Sequence, residues 1–137
     1  MLAQNFKTHT ELDLDEKLYD ALKKVLVRLE INDLVFIPDE RCDGIGLDFT
    51  KPNGFSMNIV LMQERCGTIG CIAGWAAIEM GVKPYVVTGM AGETNCILEG
   101  LFYPPPGVNY RKINTEQAAT ALRNYLTTGE VDWSHID

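Results

Sequence analysis

An α+β fold, mainly α-helical, in a single compact domain with about four helices and a small β-hairpin is what this sequence predicts. Three observations carry that expectation. Apolar residues recur at helical spacing near both ends of the chain, an alternating stretch with turn residues precedes its middle, and a motif of cysteines and glycines opens a short apolar helix.

Length and composition fit such a fold. A chain of 137 residues with 46% hydrophobic and 23% charged side chains has the size and balance of one globular domain, taken as 1–137 with 1–11 a loosely ordered lead-in. Twelve Lys and Arg against nineteen Asp and Glu leave a formal charge of −7. No run of cations offsets that excess, so a phosphate backbone is repelled and direct nucleic-acid binding is disfavoured. Met1-Leu2-Ala3-Gln4-Asn5-Phe6-Lys7 lacks the basic start and apolar run of a secretory leader, and nothing downstream approaches the ~20 apolar residues of a spanning helix. The expectation is a cytoplasmic protein without membrane contact, in which Cys42, Cys66, Cys71 and Cys96 are kept as thiols.

The first helix is expected over 14–31. Leu18, Leu22, Val25 and Leu29 recur at steps of four and three, with Tyr19 and Leu26 beside them. Asp13, Asp15 and Glu16 stand at its start and Lys23, Lys24 and Arg28 further on, the order a helix dipole favours, and Asn32 is a stop. Leu34-Val35-Phe36-Ile37 is too short to separate strand from buried coil, and Pro38 to Gly46 reads as a loop. Next, Ile45 to Thr50 alternates, Lys51-Pro52-Asn53-Gly54 is turn chemistry, and Phe55, Met57, Ile59 and Leu61 alternate with their neighbours. A hairpin is the simplest reading, although Met57 to Gln63 also tolerates a helix.

Within Cys66-Gly67-Thr68-Ile69-Gly70-Cys71-Ile72-Ala73-Gly74-Trp75-Ala76-Ala77, Thr68 is placed to cap a helix carrying Cys71, Gly74 or Trp75, and Ile78, with Gly81 as its left-handed stop and Pro84 beyond. Gly70 and Gly74 disfavour a helix, so their use here is steric, letting a backbone or the Trp75 ring come close. Tyr85-Val86-Val87-Thr88 reads as a strand or an extended link. Thr94 or Asn95 opens a short helix through Ile97, Leu98 and Leu101, ended by Pro104-Pro105-Pro106-Gly107. In the last helix Asn114 or Thr115 caps, Gln117 completes a capping box, and Ala118, Ala119, Leu122, Tyr125 and Leu126 form the buried stripe up to Gly129. Val131 and Trp133 follow in a tail long enough to fold back.

These residues resemble a family of small uncharacterised proteins of bacterial genomes, phages and mobile elements that share a C-G-T-x-x-C-I-A-G-W-A motif. The likeness is carried by Phe55-Ser56-Met57, by Cys66 to Ala76, by Leu101-Phe102-Tyr103-Pro104, and by Ile113-Asn114-Thr115-Glu116-Gln117-Ala118-Ala119 running to Gly129-Glu130-Val131-Asp132-Trp133. The family often has an aromatic three residues after the Met, where this chain has Val60. The resemblance implies a shared fold and a mobile-element setting, and it carries over no catalytic residues.

No catalytic constellation stands out, and the reading leans away from an enzyme without excluding one. Cys42, Cys66, Cys71 and Cys96 could close a zinc site but lack the paired knuckles that mark one, so no cofactor is expected, with zinc the weak alternative. Cys66 and Cys71 lie at a helix start, where thiolate is favoured, yet four residues part them and His9 and His135 are terminal. Asp39 to Thr50 echoes a calcium loop, but Arg41 and Thr50 stand at ligand places. Gly67, Gly70 and Gly74 lack the Lys-Ser/Thr of a nucleotide loop. In the motif, Cys66, Gly67, Thr68, Gly70, Cys71, Ala73, Gly74 and Trp75 therefore read as a packing device. The leading expectation is a protein-binding accessory factor of a phage or mobile element, an acidic inhibitor of a host system being one form of it, with Asp13, Asp15, Glu16 and Asp20 as the partner-binding residues. A thiol- or zinc-dependent protein using Cys66 and Cys71, and a structural homo-oligomer, are the alternatives.

Overall fold

The computed structural model describes residues 6–36, 53–57, 61–64, 67–94, 96–105 and 107–134. The architecture is mainly helical. In chain order come α1 (Glu16–Glu30), β1 (Val35–Phe36), β2 (Asn53–Phe55), β3 (Leu61–Glu64), β4 (Gly67–Gly70), α2 (Ile72–Met80), α3 (Pro84–Thr94), α4 (Cys96–Phe102), a 3-10 turn (Tyr110–Lys112) and α5 (Thr115–Thr128).

Residues 6–11, expected as part of a loosely ordered lead-in, form with Leu12, Asp13 and Leu14 one capped turn. Thr8 and Glu11 exchange bonds, the Thr8 amide donating to Glu11 Oε1 at 3.0 Å and the Glu11 amide to Thr8 Oγ1 at 3.1 Å. The Leu12 N–H closes the turn on the Thr8 carbonyl at 3.1 Å, and Asp13 ends it at φ 55 as Leu14 N–H reaches back to the His9 carbonyl at 2.8 Å. The turn is tied down by Lys7, whose N–H donates to the Leu126 carbonyl at 2.8 Å while its own carbonyl accepts from the Tyr19 hydroxyl at 2.6 Å.

Helix α1 starts where expected because Asp15 Oδ2 accepts from the N–H groups of Lys17 and Leu18 at 3.0 and 3.3 Å. Its buried stripe is Leu18, Ala21, Leu22, Val25, Leu26 and Leu29, and Asn32 ends it in a left-handed conformation at φ 61. Helix α5 carries the full capping box, Asn114 Oδ1 accepting from Gln117 N–H at 2.8 Å and Gln117 Oε1 from Asn114 N–H at 2.9 Å. It stops at Gly129, φ 80. Helices α1 and α5 pack on each other, and α2 packs on α1 as well.

Helix α2 has no polar face over its first six residues, Ile72 to Ala77, all of which are buried. A helix apolar all round belongs inside, and here it is the centre of the core. Trp75, 2% exposed, spans from core to sheet, its indole N–H donating to the Gly54 carbonyl at 2.9 Å. Arg28 lies over the same ring at 5.0 Å from its centroid and pairs with Glu79, Nε to Oε2 at 2.9 Å.

The strands are short and ordered β1-β2-β4-β3. Strands β1 and β4 flank β2 in parallel, Val35 opposite Gly54 and Gly54 opposite Ile69, and β3 joins β4 antiparallel with Leu61 opposite Gly70. This corrects the expected hairpin. Asn53 and Gly54 are strand residues with parallel partners rather than a turn, and the first arm, Ile45 to Thr50, falls outside the described residues. The reading of Pro38 to Gly46 as a loop falls outside them too.

Two further expectations are corrected. Thr68 does not cap α2; it lies in β4, and Cys71, in extended conformation, holds the cap position. Tyr85-Val86-Val87-Thr88 is neither strand nor link but the first turns of α3. Pro84, with φ preset and no N–H to lose, starts that helix, and burial of Val87 outweighs the extended preference of a β-branched run.

Candidate binding groove

The clearest surface feature is built by the end of α4 and the tail after α5. Helix α4 runs into Pro104-Pro105-Pro106, so the residues four places beyond Gly100, Leu101 and Phe102 have no N–H to donate. The Gly100 carbonyl is met instead by the indole N–H of Trp133 at 3.0 Å. The Pro104 carbonyl, one turn on, accepts from the Tyr110 hydroxyl at 2.5 Å. Burial, and then the neighbouring Tyr103, push the Tyr110 hydroxyl above its ordinary pKa, so it stays a donor in neutral solution.

Trp133 is thus seated with only 4% of its surface exposed, and α4 and the tail around it line a groove of about 890 Å³. That lies within the span of ligand-sized clefts. Its walls include Ile97 and Tyr103, 51% and 45% exposed, with Val131 and Trp133 opposite. Glu130 and Asp132 are the ionisable carboxylates of the lining, and Asp132 Oδ1 accepts from the Ser134 N–H at 2.8 Å. Among the described residues the lining has no histidine, cysteine or cation. Such a surface can hold an apolar group, and among its described residues it presents no nucleophile paired with a base.

The residues expected to bind a partner are spread over the start of the chain, each with local work to do. Asp15 caps α1, Asp13 terminates the turn before it, Glu16 Oε2 lies 3.6 Å from His9 Nε2, and Asp20 Oδ1 lies 3.8 Å from Lys23 Nζ. All four are exposed. Leu12 and Lys7, not these carboxylates, reach the groove, since a Cβ on Gly129 would lie 3.6 Å from Leu12 Cδ2 and 3.8 Å from the Lys7 methylenes.

Of the motif residues, Cys71, Ala73, Gly74 and Trp75 are buried in the core, Gly67, Thr68 and Gly70 form β4, and Cys66 lies outside the described residues. The Cys71 thiol is pushed above its ordinary pKa by burial, against a weaker downward pull from the N–H groups of Gly74 and Ala73. Cys42 also falls outside the described residues. Among the described residues, no three His, Cys, Asp or Glu side chains come together to hold a metal ion. No helix among them is long and apolar enough to cross a membrane.

Sequence reasoning named Trp133 as part of a tail that folds back but did not find the groove. The available signal was the proline run four residues beyond Gly100, which leaves carbonyls wanting donors, with an indole placed later in the chain to supply one. Comparison of the chain with family models, curated proteins and solved structures gives no match.

Proposed function

We propose that this protein acts by binding another protein, with the groove between α4 and the tail as its contact surface. The observation that supports the reading is that Ile97 and Tyr103 stay exposed on a groove whose tail wall is fixed by the buried Trp133, an aromatic and aliphatic pair that folding leaves uncovered. The acidic start of α1 belongs to the same reading as a steering field, raising the rate of encounter with a basic partner more than the final affinity. The motif resemblance suggests the setting, an accessory factor or inhibitor carried by a phage or mobile element. A thiol mechanism draws no support from Cys71, which is buried and held as the neutral thiol.

The test is parallel purification of the tagged full chain and its Tyr103→Glu variant from source cells, both checked by circular dichroism and melting. A partner held by the wild type and lost from the variant is expected. A partner held equally by both would move the contact away from the groove. Asp15→Asn, Glu16→Gln and Asp20→Asn together keep the helix cap, since Asn caps as well as Asp, and should slow association in low salt.

A further inference from the structure

We draw no further inference here: the strongest candidate, the apolar groove between α4 and the tail after α5 on which Ile97 and Tyr103 stay exposed, belongs to the site already described, and nothing in the structure shows what covers it.

Discussion

At the scale of single residues, the two tryptophans act through opposite ends of the same side chain. Each buries its ring and spends its N–H on a backbone carbonyl, Gly54 for Trp75 and Gly100 for Trp133. The second contact is the more telling, since proline four residues on denies Gly100 its usual donor. Trp133→Phe is expected to lose about 1 kcal/mol by removing the bond, and Trp133→Ala ~3–5 kcal/mol by removing the ring as well. Urea denaturation of both variants checks the ratio; equal losses would mean the ring adds nothing beyond its N–H, and no loss for Trp133→Phe would mean the bond contributes nothing. Cys71 gives a second expectation. Its folded pKa is raised, so the folded state holds the proton more tightly, and stability is full below the ordinary thiol value of about 8.5 and falls as pH rises beyond it. Melting curves from pH 7 to 10 should show a steeper alkaline decline for the wild type than for Cys71→Ala, which removes that group while Tyr110 still titrates. Thiol labelling of Cys71 should likewise wait for unfolding.

At the scale of elements, legibility followed the strength of the local signal. Helices α1 and α5 were readable because their apolar stripes, caps and left-handed stops all agree, and tertiary packing uses the face the periodicity names. Where local preference and packing disagree, the reading failed. The β-branched run Val86-Val87-Thr88 favours a strand, but Pro84 and the burial of Val87 make it helical. Asn53-Gly54 is a turn by composition, yet in β2 it has a parallel neighbour on each side, a non-local pairing that no hairpin signal encodes. Thr68 is a good cap by type but sits in the strand that leads into α2, and the cap position falls to Cys71. Glycines divide by the same logic. Gly89 lies inside α3 with nothing within 4 Å of an added Cβ, so Gly89→Ala should stabilise the protein by ~0.5–1 kcal/mol. Gly129, at φ +80, should respond the other way, Gly129→Ala costing about 1 kcal/mol or more in strain, and paired thermal melts distinguish the two.

At the scale of the whole molecule, the groove was hidden because no single stretch contains it. Its key contact joins residues 33 apart, and its walls pair a helix end with an irregular tail, so neither carries a periodic signature. The acidic residues were visible from composition, but only folding shows that Leu12 brings that end of the chain against Gly129. Another long-range polar contact has the same character: Arg123 Nη2 meets Glu30 Oε2 at 2.6 Å across α1 and α5. Glu30 is much the less exposed of the two, 12% against 37%, so the halves of the pair are not equivalent. Arg123→Ala, which strands a largely buried carboxylate, should cost about 1–3 kcal/mol, and Glu30→Gln less. A double-mutant cycle read by urea denaturation gives the coupling, and a larger loss for Glu30→Gln would reverse that assignment.

The packing of α1 on α5 also has a meaning in time. Roughly 85 residues separate Glu30 from Thr115, and a ribosome adding about 5–20 residues per second needs several seconds to make them. Throughout that interval the leucine stripe of α1 is finished but uncovered on the side its last partner will occupy. The nascent chain is therefore a client for whatever shelters apolar helices during synthesis, and a slowed codon between α4 and α5 should lower yield more than one placed after Gly129.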